Sequence, residues 1–198
     1  MSGVVSLLWV VVWAFYFRDD PREHPSITPA EIADCPPYRT GVSYQDVPWR
    51  PLVRRVMPAT FVFFCHAWTL WLYLSWLPTF FVSNYGIDWK QSALFTSGVF
   101  LAGMIGDTVG GLLTDAIYKH TGNLNIARRN AIIIGFVGSL FFMSFVFITH
   151  DQTSIILCLG ASLFFLEMTE GPVWAVPMDI APRYAGIAGG FLSALRQG

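Results

Sequence analysis

Charged side chains are scarce in this sequence: Asp, Glu, Lys and Arg make up 13% of its 198 residues, whereas apolar residues make up 54%. A soluble domain usually carries about 25% charged residues. Nearly half of the charges fall within residues 18–55, and the rest of the chain consists of long apolar runs separated by short polar stretches. This distribution excludes an ordinary soluble domain and predicts an all-α protein that crosses a lipid bilayer several times.

Motifs for catalysis, metal binding and nucleic-acid binding are also lacking. The three cysteines form no CxxC pair and no cluster with histidine, so we predict neither a metal site nor a disulfide framework. There is no GxSxG, no HExxH and no phosphate-binding glycine loop. The net charge of −1 provides no basic footprint for nucleic acid. We therefore expect no enzymatic activity, no catalytic residues, no cofactor and no nucleic-acid partner.

Apolar runs predict five membrane spans and the beginning of a sixth. A spanning helix needs about 20 mostly apolar residues. The first and last runs are too short to cross a bilayer at about 1.5 Å per residue, so we expect a fragment whose terminal helices are incomplete. We divide the chain into a helix end (1–17), a central loop (18–55) and a helical domain (56–198). Within the helical domain, spans are predicted at residues 57–82, 92–115, 131–149, 154–176 and 185–198.

Lysine and arginine alternate between loops in a way that predicts the topology. Ten of the twelve lie in segments 18–55, 116–130 and 177–184, Lys90 alone lies in the loops of the opposite side, and Arg196 lies within the sixth span. Because cytoplasmic loops carry an excess of positive charge, these three segments are predicted to be cytoplasmic. We expect a multi-pass protein of the inner (plasma) membrane.

The central segment 18–55 is polar and contains seven prolines, so we predict that it is a linker. Thr28 can cap a helix, Pro29 suits the first helical position, and Glu31 stands at the third position. These three residues predict one short helix in the linker.

A polar stripe at helical spacing crosses the second span and consists of His66, Thr69, Tyr73 and Trp76. Every member carries a polar atom, which inside a membrane needs a partner or water. The stripe either packs against neighbouring helices or lines a polar cavity that receives substrate. His66 is the favoured member for the second role, because it can donate, accept or titrate.

Five ionisable residues lie within predicted spans or at their edges: Asp107, Asp115, Glu167, Glu170 and Arg196. Each is costly in hydrocarbon, which makes each a functional hypothesis. Because burial favours the neutral form of a carboxyl, Asp107, Glu167 and Glu170 are candidates for proton coupling. Arg196 is expected either to pair with Glu167 or Glu170 or to bind an anionic substrate, since its fork matches a carboxylate.

The third span also has a structural pattern. Its small residues include Gly106 and Gly110, whose spacing predicts the close approach of another helix. Asp115 lies at the C-terminal end of this span, where the helix dipole disfavours a negative charge. We therefore expect Asp115 to need an external partner and to act as a structural latch. A helix break is expected at Gly171-Pro172, just after the two glutamates.

Four stretches resemble known transporter signatures. Gly111 to Asp115 (GLLTD), followed by Arg128 and Arg129, resembles the second-half copy of the loop signature of the major facilitator superfamily. Residues 20–25 (DPREHP), 75–80 (SWLPTF) and 171–182 (GPVWAVPMDIAP) resemble the anion:cation symporter family, above all its bacterial members.

The resemblance implies a fold of two six-helix halves around a central cavity, which works by alternating access. This chain would supply the end of helix 6, the central loop, helices 7 to 10 and the start of helix 11, and its missing partner would be the N-terminal six-helix half. The resemblance also implies proton-driven transport of an organic anion, such as a sugar acid or an aromatic carboxylate. Gly111, Asp115, Arg128 and Arg129 would form a cytoplasmic gate motif.

Two alternatives stand beside this hypothesis. The first is an exporter of drugs or neutral sugars in the same superfamily. The family resemblance and Arg196 argue against it. The second is a membrane scaffold or receptor that transports nothing. The polar stripe and the buried charges argue against the second alternative, because a scaffold has no need of them.

Overall fold

The computed structural model describes residues 2–18, 21–34 and 47–194, and within these residues it contains helices and no strand. The predicted all-α class is therefore confirmed. Two compact units divide between Asp46 and Val47. The α-helices of the described residues are α1 (Ser2–Tyr16), α2 (Pro29–Asp34), α3 (Trp49–Tyr85), α4 (Trp89–Thr121), α5 (Leu124–Val146), α6 (Gln152–Glu167), α7 (Glu170–Ile180) and α8 (Ala185–Ala194).

The first unit contains the apolar helix α1 and the short helix α2, which begins at Pro29 as predicted. The Thr28 backbone N–H donates to Glu31 Oε2 at 2.9 Å, and the Glu31 backbone N–H donates to Thr28 Oγ1 at 3.4 Å. This reciprocal pair is the capping box that the sequence predicted. The hydrogen bonds from Thr28 lower the pKa of Glu31, because they stabilise its charged form.

The second unit carries the membrane-spanning helices. Four helical segments of the described residues are long and apolar enough to cross a membrane, namely α3, α4, α5 and the consecutive pair α6–α7. The chain is a multi-pass membrane protein. Large apolar side chains such as Phe61, Trp68, Met104 and Leu140 face outward from these helices. That arrangement suits a protein whose solvent is lipid or another helix.

The spanning helices run beyond the residues that hydropathy marked. Helix α3 has 37 residues and is about 56 Å long, which exceeds a hydrocarbon core of about 30 Å. The predicted loop 116–130 is almost entirely helical, because α4 ends at Thr121 and α5 begins at Leu124. Gly122, in the left-handed conformation at φ 63°, ends α4, and the Asn123 side chain caps α5. Segment 177–184 likewise continues α7 to Ile180 and then forms a 3-10 turn.

Helix α6 lies between α4 and α5, and glycines on both neighbours allow close packing. A Cβ atom at Gly106 would overlap the Phe164 carbonyl, and one at Gly110 would overlap the Met168 carbonyl. On α5, a Cβ atom at Gly135 would lie 2.7 Å from the Phe165 carbonyl oxygen. The close approach of another helix predicted for Gly106 and Gly110 is therefore confirmed, and that helix is α6.

Candidate functional site

A break separates α6 from α7 in the middle of the fourth span. Helix α6 ends at Glu167 and α7 begins at Glu170, so the interruption lies two residues before the predicted Gly171. Pro172 has no N–H with which to bond the carbonyl of Met168. The backbone N–H and the hydroxyl of Thr169 instead donate to the Leu166 carbonyl at 3.0 and 2.8 Å.

His66 of α3 lies opposite this break and contacts both glutamates. Its Nε2 atom is 3.6 Å from Glu167 Oε1, and its Nδ1 atom is 3.1 Å from Glu170 Oε2. The histidine is only 1% exposed, and the two glutamate side chains are 17% and 22% exposed. Within the described part of the chain, His66 Nε2, Glu167 Oε1 and Glu170 Oε2 are buried and accept or donate no hydrogen bond.

This His66–Glu167–Glu170 cluster brings three ionisable groups into contact. With both carboxylates ionised and the imidazole protonated, the cluster has a net charge of −1, and one further proton makes it neutral. Buried like charges disfavour each other, whereas an opposite charge between them stabilises both. The sequence predicted the two glutamates as proton-coupling residues and His66 as a cavity residue. The structure brings all three together, and their roles stay predictions.

Two aromatic side chains enclose the cluster. The indole Nε1 of Trp174 donates to Glu170 Oε1 at 2.8 Å. The Trp174 ring meets Phe63 edge to face at 5.1 Å, and Phe63 stacks on His66 at 6.4 Å. Sequence reasoning missed Trp174 as a site residue. The i, i+4 spacing of Glu170 and Trp174 within one helix was the available signal.

Asp107, the third proton-coupling candidate, lies beside the same break on α4. Its Oδ1 atom is 4.0 Å from the position that a Cβ atom would take at Gly171. The side chain is exposed on the surface of the unit, unlike the two glutamates. Asp107 therefore borders the His66–Glu167–Glu170 cluster without entering it.

The polar stripe of α3 does not present a single face to one cavity. The Tyr73 hydroxyl is buried and donates to Ser162 Oγ of α6 at 3.0 Å. Thr69 donates to the Cys65 carbonyl of its own helix at 2.9 Å. Trp76 is exposed and packs on Phe80. The substrate roles predicted for these residues stay predictions, and Arg196 lies outside the described residues.

Arg128 of the gate motif forms an ion pair with a residue outside the motif. Arg128, at the start of α5, places its Nε atom 2.8 Å from Asp179 Oδ2 in the last turn of α7. Asp115 is exposed, and no described cation lies within 4 Å of its carboxylate. Gly111 and Arg129 are exposed as well. Asp179 was missed, although the dipole argument for Asp115 applies equally to a carboxylate in the last turn of α7.

We expect the Arg128–Asp179 pair to stabilise the packing of α5 against α7. Arg128→Ala and Asp179→Ala should each lower the thermal unfolding midpoint of the purified protein. A double-mutant cycle should give a coupling of about 1 kcal/mol, because the Asp179 side chain is 32% exposed and solvent weakens the attraction on that side. Arg129→Ala, next to the pair and exposed, should stay within about 0.5 kcal/mol of the parent protein. A coupling of zero would show that the pair contributes nothing.

The described residues do not form a recognisable metal site. No group of three or more His, Cys, Asp and Glu side chains able to hold a metal ion occurs among the described residues. The predicted absence of a metal site therefore stays a prediction for the chain as a whole.

Comparison with known proteins places the chain in a family. The sequence profile of the Major Facilitator Superfamily matches residues 1–198. The chain is 45% identical to the probable sulfoacetate transporter SauU of Cupriavidus necator, over 96% of this chain and 45% of that protein. It is 24% identical to the hexuronate transporter of Bacillus subtilis, over 97% and 45% of the two chains. It is 27% identical to the D-galactonate transporter of Escherichia coli, over 96% and 47%. The chain thus spans just under half the length of these relatives, and it belongs to the Major Facilitator Superfamily.

Proposed function

We propose that this chain is part of a secondary transporter that carries a small organic anion together with protons by alternating access. Three relatives bear the names of transporters for sulfoacetate, hexuronate and galactonate, which are all small organic anions. The substrate class is therefore a sulfonated or carboxylated small molecule, and sugar acids and aromatic carboxylates belong to it. The proposed site of action is the inner (plasma) membrane, with segments 18–55, 116–130 and 177–184 on the cytoplasmic side.

The observation that carries proton coupling is the burial of His66 between Glu167 and Glu170. Ionisable groups are expensive within a membrane protein's apolar interior and are kept where they serve a function. An anion bound near the cluster favours its protonated, neutral form, because the carboxylates repel the anion. By linkage, protonation of the cluster favours binding of the anion to the same extent. This reciprocity is the thermodynamic basis of symport.

A second six-helix half is the proposed partner of this chain. The chain spans just under half of its relatives' length, and the superfamily resemblance implies a cavity between two halves. The tight packing of α4 on α6 through Gly106 and Gly110 suits a half that moves as a rigid body during alternating access. Transport assays therefore belong in cells that express the whole gene.

Uptake assays test the proposed function. Cells expressing the whole gene are supplied with labelled sulfoacetate, a hexuronate, galactonate or an aromatic carboxylate, at several external pH values. We expect accumulation of at least one of these anions, faster at acidic than at alkaline pH and abolished by a protonophore. Accumulation that is indifferent to pH and to the protonophore would contradict proton coupling. Uptake of neutral sugars in preference to every anion would contradict the substrate class.

A further inference from the structure

Trp174 belongs to the GPVW stretch of the sequence, and the proposed function does not yet assign it a role. Its indole contacts two elements: it donates to Glu170 on its own helix α7, and it meets Phe63 of α3 edge to face. The hydrogen bond and the ring contact together restrict the orientation of the indole, so its N–H group is aimed at Glu170.

The two glutamates of the cluster are not equivalent. Glu170 accepts the indole N–H on Oε1 and faces His66 Nδ1 with Oε2 at 3.1 Å. Glu167 faces His66 Nε2 with Oε1 at the longer distance of 3.6 Å, and this oxygen accepts no hydrogen bond among the described residues. A hydrogen bond donated to a carboxylate favours its charged form. When two carboxyl groups lie in different environments, one can stay ionised while the other gains and loses a proton.

We propose that Trp174 is a positioning residue that keeps Glu170 ionised against His66, so that Glu167 is the carboxyl that gains and loses the coupled proton. The inference rests on the proposed function, since it assigns roles within that proton site. On loading, a hydronium ion gives a proton to Glu167: an O–H bond of the hydronium breaks and leaves water, an O–H bond forms on the carboxylate, and the cluster passes from a charge of −1 to neutral. Unloading reverses the step, and no other reactant is needed.

Other ionisable groups near the cluster are few among the described residues. Asp107 of α4 borders the break beside Gly171, and its side chain is exposed. Arg128 of α5 and Asp179 pair with each other near the far end of α7. Helix α8 presents no charged side chain between Ala185 and Ala194. Among the described residues, His66 is the basic side chain that faces both glutamates.

Infrared difference spectroscopy on the purified full-length protein tests the assignment directly. Spectra recorded at acidic minus alkaline pH should contain a C=O stretching band from one protonated carboxyl. We expect Glu167→Gln to remove this band and Glu170→Gln to leave it in place. A band that survives Glu167→Gln but disappears in Glu170→Gln would overturn the assignment, as would a band that disappears in both. This readout requires no transport activity and no change at Trp174.

The pH profile of uptake tests Trp174 itself. Trp174→Phe keeps a ring against Phe63 but removes the N–H donor, so Glu170 is less well held in its ionised form. We expect the pH of half-maximal uptake to move upward by about 1 unit, as loss of a hydrogen bond to a charged group implies. Uptake at acidic pH should stay within a few-fold of the parent protein. Trp68→Phe, an exposed tryptophan on α3, is the matched control and should leave the profile unchanged.

The outcomes separate this inference from the proposed function. The role of Trp174 alone would be overturned if uptake by the parent protein depends on protons but the Trp174→Phe profile matches the parent profile or moves to lower pH. Parent uptake that shows no proton dependence would instead refute the proposed function.

Discussion

Glu167→Gln is expected to abolish proton-driven accumulation while leaving exchange of substrate across the membrane intact. Glutamine resembles the protonated carboxyl in shape and charge, so the His66–Glu167–Glu170 cluster would be fixed in its substrate-binding form. Without a coupled proton the pH gradient no longer drives uptake, so the ratio of inside to outside anion should fall to about 1. Accumulation is measured with a labelled anion in an imposed pH gradient, and exchange is measured by counterflow without a gradient.

The control for this substitution is Glu31→Gln in the first unit. Glu31 is exposed and closes the capping box of α2, a role that glutamine also fills. Both accumulation and exchange should match the parent protein in this variant. If Glu167→Gln accumulated substrate as steeply as the parent and with the same pH profile, Glu167 would be a structural residue.

Gly106→Ala is expected to destabilise the helical bundle more than its single added methyl group suggests. The new Cβ atom would overlap the Phe164 carbonyl, and a backbone carbonyl cannot move aside as a flexible side chain can. Helices α4 and α6 would have to separate, at a cost of about 1–3 kcal/mol or more. Thermal unfolding of the purified protein, followed by circular dichroism, measures the loss. Gly110→Ala should behave in the same way, because it would overlap the Met168 carbonyl.

Gly98→Ala is the matched control on the same helix. A Cβ atom at Gly98 would meet nothing within 4 Å. Alanine is the better helix former by about 0.8–1.0 kcal/mol, so this variant should unfold at an equal or higher temperature. Equal effects of the Gly98 and Gly106 substitutions would contradict the close contact between α4 and α6.

Hydropathy and local chemistry were sufficient to predict the elements of this fold. The apolar runs mark the helices α3 to α7, and the Thr28–Glu31 spacing predicted the capping box. Pro172 predicted a break after both glutamates, whereas the break lies between Glu167 and Glu170. Each of these features depends on residues within a few positions of one another. The helix ends were harder to predict. Hydropathy marks the hydrocarbon layer, whereas backbone hydrogen bonding extends α4 to Thr121.

Partners across helices could not be read from the sequence. Helical spacing grouped His66 and Tyr73 in one polar stripe, but it could not show that Tyr73 bonds Ser162 while His66 faces two glutamates. Nor could it show that Arg128 pairs with Asp179. Helix packing decides which side chains meet, and periodicity along one helix says nothing about the rotation of its neighbour.

Proton uptake on substrate binding is the most direct measurement of whether the His66–Glu167–Glu170 cluster couples protons to an anion. The purified full-length protein is placed in weakly buffered detergent solution, and the pH is recorded as the transported anion is added. We predict uptake of up to about one proton per bound anion, largest at a pH between the protonation midpoints of the free and the anion-bound protein, as reciprocal linkage requires. Glu167→Gln should bind the anion without taking up a proton. Binding with no proton uptake in the parent protein, or with equal uptake in the Glu167→Gln variant, would contradict the role of the cluster.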